Sequence, residues 1–212
     1  MDQGAFGKVS AKTAAEVCGH YELSESAEKV LGDGVTPRQF VGQLVELRQY
    51  VDAFDFLAHA LPKREAIWWA CLSVRHAQGP ALPAKEFAAL KAAVEWVLEP
   101  DEPNRRAAQA AGEAADFRAP AGCAALAVYG SGGSLGPAIF PDVPPGPYMT
   151  AQAVSGSITM ASAVGDPGAM PDLRRDLVEL GIAVAEGKIT WPAVTKPAVV
   201  RGTPGQRFPE RY

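Results

Sequence analysis

From Ala11 to Glu186 the apolar side chains recur three and four residues apart, and period-two alternation does not take hold before Ile189. That spacing confines the chain to helices that bury a stripe or more against one another. At 212 residues such a fold buries roughly 70% of the unfolded surface, so no metal or disulfide staple is required. The spacing therefore predicts an all-α fold. Consecutive short helices with brief connections favour a compact irregular bundle of antiparallel pairs, with solenoid-like stacking as a variant.

Element boundaries follow from punctuation. Residues 1–10 hold two glycines and no period, and are expected to be extended. Short helices are predicted over Ala11–Gly19 and Ser26–Leu31, the second stopped by Gly32 and Gly34. Thr36-Pro37-Arg38-Gln39 is a capping box with proline at the first helical position, and Phe40, Val41 and Leu44 follow on one face. Further helices are read over a stretch from Tyr50 to Leu61, then Lys63–Arg75 and Ala84–Leu98. The alanine-rich stretch Asn104–Ala115 lacks bulk, so its axis should approach a neighbour closely. Pro120–Tyr129 is apolar on all sides and should be central. Thr150–Val164 and Pro171–Glu186 complete the helical body, which is expected to span 11–187.

Two segments break this grammar. Gly130–Pro147 packs five glycines and five prolines into eighteen residues, a density no regular element survives, so 130–149 is expected to be a long loop. Residues 188–212 form a basic, proline-rich tail of charge +4 on a body of charge −8, for a total of −4. Ile189–Val200 alternates loosely and could pair as an edge strand. Aromatic and arginine side chains dominate interface hot spots. Contacts to a protein partner are accordingly expected at Trp69, Phe140, Tyr148, Trp191, Arg201, Arg207, Phe208 and Tyr212. Trp69 enters because Trp68 and Trp69 diverge by about 100° on a helix: the helix is buried on several sides, or one indole faces a partner.

Motifs for chemistry are sparse. His20, His59 and His76 show no ligand spacing, and no metal or cofactor is expected. Cys18, Cys71 and Cys123 are distant and odd in number, which fits buried thiols in a reducing compartment. Cys71 with His76, or Cys18 with His20, would need the fold to bring each pair together. Asp52 and Asp55 lie near enough on a helix to raise one carboxyl, although a solvated face accounts for them as well. Gly130-Ser131-Gly132-Gly133 lacks the lysine of a phosphate loop and follows a helix, so it reads as a flexible lead into the proline-rich stretch. The acidic balance disfavours nucleic acid as the main partner. The apolar runs Ala66–Val74 and Ala119–Tyr129 are too short for membrane insertion. The first thirty residues carry no secretory pattern, and cytoplasmic localisation is the expectation.

Four blocks carry a family likeness: FLAHALPKREAIWWACLSVR (56–75), EPDEPNRRAAQAA (99–111), PAGCAALAVYGSGGSLGP (120–137) and PPGPYMTAQAVSGSITMA (144–161). Together they resemble an uncharacterised bacterial domain-of-unknown-function family with the signature AHALP-x-RE-A-WWA, associated with type VI secretion loci. The likeness covers residues 24–187 and leaves out the tail. It implies a helical fold and transfers no nucleophile, acid or ligand set. It places Arg64 and Glu65 in a polar contact at a helix start, and Arg105 and Arg106 near the Asp101–Glu102 turn or a neighbouring helix. The resulting expectation is a non-enzymatic adaptor or chaperone that binds a secretion component, effector or toxin. An immunity protein blocking a cognate toxin is the alternative, and an enzyme using Cys71 or a histidine is a third.

Overall fold

A computed structural model describes residues 5–192 except 81, 138 and 140. The described residues form ten helices and no strand. These are α1 (Ala14–Cys18), α2 (Glu25–Glu28), α3 (Pro37–Glu46), α4 (Tyr50–Ala60) and α5 (Lys63–Gln78), then α6 (Ala84–Leu98), α7 (Glu102–Ala115), α8 (Pro120–Tyr129), α9 (Met149–Ala161) and α10 (Met170–Ala185). The all-α irregular bundle is thus what the chain adopts. α9 and α10 both turn back onto α4 and α5, which closes the fold into a bundle and excludes the open solenoid-like variant.

The predicted capping box forms. The Thr36 hydroxyl accepts from the Gln39 amide, and the Gln39 side chain accepts from the Thr36 amide at 3.0 Å. The Thr13, Ser24 and Asp101 side chains cap α1, α2 and α7 by accepting from the Glu16, Ala27 and Asn104 amides. α8 is the central element, with every residue but Leu126 buried, and it packs against α6, α7 and α9. The close approach expected of α7 is met at Gly112, where an added Cβ would lie 3.0 Å from the Ala125 Cβ. α4 and α5 are joined at Leu61-Pro62 but do not pack along their lengths; α9 and α10 lie against both. Pro62 at the head of α5 forces this redirection.

Trp68 and Trp69 are both buried, because α5 has neighbours on several sides: α6, α8, α9 and α10. Trp69 is 0% exposed, and its indole N–H donates to the Leu177 carbonyl on α10 at 2.9 Å. Gly181, one turn along α10, makes room for it: an added Cβ would lie 2.6 Å from the ring. The expected partner contact at Trp69 is therefore corrected to a core role. Residues 5–13 are irregular but docked, with Phe6 in the core and the Lys8 amide donating to Ala185 O at 2.9 Å. The edge strand does not begin within 189–192, and the rest of Ile189–Val200 lies outside the described residues.

Candidate functional site

The long loop is built on two arginines of α7. The Arg105 side chain is only 4% exposed, and a guanidinium at that depth must be paired on every side. It forks onto Glu102 at 2.6 and 2.7 Å, and donates to Tyr129 O at 2.7 Å and Ser134 O at 3.0 Å. Arg106 adds Ser134 O at 2.8 Å, Gly136 O at 2.9 Å and Glu102 at 2.8 Å. Lys63 reaches Ser131 O at 2.8 Å, and the Tyr129 hydroxyl donates to Leu135 O. The hydrogen bond from Arg105 chiefly holds the Glu102 carboxyl down at about 2; desolvation opposes it, and the Arg106 hydrogen bond adds a smaller downward pull. Gly133 permits this docking. Its φ of +62° and the 2.8 Å from an added Cβ to the Arg105 guanidinium leave no room for a side chain.

The loop then folds on itself. The Leu135 amide donates to Val143 O at 2.8 Å, and Ser134 Oγ accepts from the Val143 and Gly136 amides. The stretch expected to be a flexible lead is instead tied down at Ser131, Ser134 and Gly136. Beyond these ties the loop turns apolar side chains outward: Ile139 is 86% exposed and Val143 52%.

The loop ends at Tyr148, whose ring stacks on His20 at 4.8 Å and tilts against His59 at 5.8 Å. His59 in turn stacks on Tyr21 at 4.5 Å. The Tyr21 and His59 rings line an open groove of about 480 Å³ between α4, α9 and the Tyr21–Glu22 segment. Asp55 and His59 line it from one face of α4, and Gln152, Ser155 and Thr159 from one face of α9. The Ser155 hydroxyl donates to Asp55 Oδ1. His59 Nδ1 lies 2.8 Å from the Asp55 backbone carbonyl. A carbonyl only accepts, so Nδ1 carries the proton and Nε2 holds a lone pair. Among the described residues that Nε2 is buried without a hydrogen-bond partner, as is the Tyr21 hydroxyl, whose polar neighbour is the Cys18 thiol.

Burial raises the Asp55 carboxyl, Ser155 and His59 pull it back, and Asp52 adds a smaller upward push. Burial lowers the His59 imidazole, against the Asp55 carbonyl and carboxylate that favour its protonation. One member of the Asp52–Asp55 pair is therefore raised, chiefly by desolvation. Asp55 does not stand on a fully solvated face.

Tyr148 is one-third exposed, with its ring against His20 and His59. Trp191 is half-buried, with the Arg64 guanidinium 4.2 Å from its ring centroid, so one face of the indole is covered by the body itself. Arg64 also donates to Val97 O and Leu98 O, capping the end of α6, while Glu65 pairs with Lys8 at 3.4 Å. The polar contact expected at the start of α5 thus goes to other elements. Arg105 and Arg106 do reach Glu102, as the resemblance implies. Phe140, Arg201, Arg207, Phe208 and Tyr212 lie outside the described residues.

The three thiols are free and buried. Desolvation raises Cys71 to about 12 and Cys123 to about 11, far from a reactive thiolate. His76 faces Asp176 at 3.7 Å on the surface. Sequence inspection missed the Asp55–His59–Ser155 arrangement and the outward Ile139 and Val143. The four-residue step from Asp55 to His59 was the available signal for the first. Isolated apolar residues inside a proline-rich loop were the signal for the second.

Among the described residues no helix is long and apolar enough to cross a membrane, and no group of three or more His, Cys, Asp or Glu could hold a metal ion. The model of a family of unknown function matches residues 40–185. No curated protein and no solved structure matches the chain.

Proposed function

The chain belongs to that family, DUF6931, and we propose that it acts as a non-enzymatic protein-binding accessory factor, an adaptor or chaperone in a bacterial secretion or toxin-delivery system. The observation that carries the binding role is the loop: seven charged or hydroxyl ties hold its base while Ile139 and Val143 stand in water. Water gives no return for ordering an apolar side chain outward, whereas a partner surface does. Pre-ordering also removes part of the entropy that association would otherwise cost. The secretion setting and a secretion component, effector or toxin as partner are supported by the resemblance of the four sequence blocks.

The test is co-expression of the full chain with the products of neighbouring genes, beside an Ile139→Ser/Val143→Ser double variant. A stoichiometric complex with one product is expected. Loss of two apolar anchors should weaken it by roughly tenfold or more, with the unfolding midpoint unchanged. Equal retention by both chains, or none by either, refutes the loop as the contact surface. Affinity should change little between about 0.05 and 0.5 M salt, because the contact is apolar. An immunity protein that binds through its acidic body would lose affinity steeply over that range.

A further inference from the structure

We propose that the groove between α4, α9 and the Tyr21–Glu22 segment binds an organic cation, a guanidinium or ammonium group carrying several N–H donors. The proposal is independent of the loop and its partner. Its first support is the charge of the walls. Asp55 and Glu22 line the groove, Asp52 lies close enough to act on Asp55, and none of the lining residues is Lys or Arg. No ion pair reaches Asp52, Asp55 or Glu22 from the described residues. A half-buried carboxylate without a counter-cation is costly, and an incoming cation relieves that cost.

The second support is the polarity of the free groups. Ser155 satisfies Asp55 Oδ1, and no described residue donates a hydrogen bond to Oδ2. His59 gives its only proton to the Asp55 carbonyl, so its ring offers the groove no N–H, and its Nε2 is closed off from solvent. Acceptors therefore outnumber donors at the α4 wall, which suits a ligand rich in N–H and repels carboxylates and phosphates. Tyr21 supplies an aromatic wall, a surface on which organic cations gain further attraction. Among the described residues, the groups facing Asp55 and His59 from the packed elements are Tyr21, Glu22, Cys18, His20, Asp52 and Tyr148. None is a permanent cation, although His20 and His59 become cationic when protonated. Protonation of His59 would place a positive charge inside the site and compete with the ligand.

The test is titration of the full chain, with His59 imidazole resonances followed by NMR. The probes are methylguanidinium, N-acetyl-arginine methylamide and, as a neutral match, methylurea. Saturable shifts of His59 with the two cations and none with methylurea are expected. Asp55→Asn keeps a hydrogen-bonding partner for Ser155 and removes the charge. It should weaken binding roughly 10- to 100-fold, the scale of one charge-assisted hydrogen bond. Methylguanidinium binding as well as the arginine derivative assigns the site to a small free cation. A clear preference for the derivative assigns it to an arginine side chain. Should Asp55→Asn not fold, the rim pair Glu22→Gln/Asp52→Asn carries the test, with a several-fold loss expected. Equal binding of methylurea, undiminished binding by the charge-removed chain, or no saturable shift overturns the proposal.

Discussion

Replacing Arg105 with methionine should loosen the loop by a definable amount. Methionine keeps most of the aliphatic stem and removes the guanidinium. Tyr129 O is then left buried without its 2.7 Å donor, and an unmet buried acceptor costs about 1–3 kcal/mol. Ser134 O loses one of two donors but keeps Arg106, which costs about 0.5–1 kcal/mol. Glu102 keeps Arg106 and is 55% exposed, so its lost ion pair is screened and adds only a few tenths. Relief from desolvating a charge offsets part of the sum. The net is a destabilisation of about 2–3 kcal/mol, or roughly 4–12 °C in Tm for a chain of this length. Urea unfolding measures the first quantity. Native-state hydrogen exchange at the Leu135, Gly136 and Val143 amides measures the loop directly. Arg105→Lys keeps the charge but not the fork, and should recover less than half of the loss. A cost below about 0.5 kcal/mol with unaltered amide protection would show that the loop does not depend on this guanidinium.

Other expectations follow from the same structure. Gly181→Ala drives a methyl to 2.6 Å from the Trp69 ring and 3.0 Å from Leu57, and should cost about 1–3 kcal/mol in denaturant unfolding by overpacking. Thr36→Ala removes half of the capping box and should cost about 0.5–2 kcal/mol, with protection falling first at the α3 amides. The Glu102 carboxyl sits at about 2 in the folded chain against 4.5 for the unconstrained group. Its stabilising contribution is therefore complete above pH 4.5 and is lost as pH falls from there toward 2. Glu102→Gln should flatten that part of the stability–pH profile, and an unchanged slope would exclude Glu102 as its source.

What could be read from the sequence divides by distance along the chain. Capping boxes, proline at helix starts and the all-apolar α8 are settled within a turn or two, where residue spacing is geometry. The partners of Arg64 are settled by elements more than thirty residues away. The groove is the extreme case. Asp55 and Ser155 are a hundred residues apart, and Ser155 sits in a run of small residues that reads as a packing helix. Trp69 shows the same limit from the other side, since adjacent indoles state only that the helix has two demanding faces, not what meets them.

The glycine-rich stretch after α8 makes the physical point most sharply. An anion-binding loop turns successive N–H groups inward, whereas this one turns the carbonyls of Tyr129, Ser131, Ser134 and Gly136 toward three cationic side chains. Glycine at φ +62° grants the backbone freedom that either arrangement requires. The sign of the occupant was written elsewhere, in Arg105-Arg106 of α7 and Lys63 of α5. A glycine pattern therefore announces close approach by something, and the charge of the helices that pack beneath it decides what that something is.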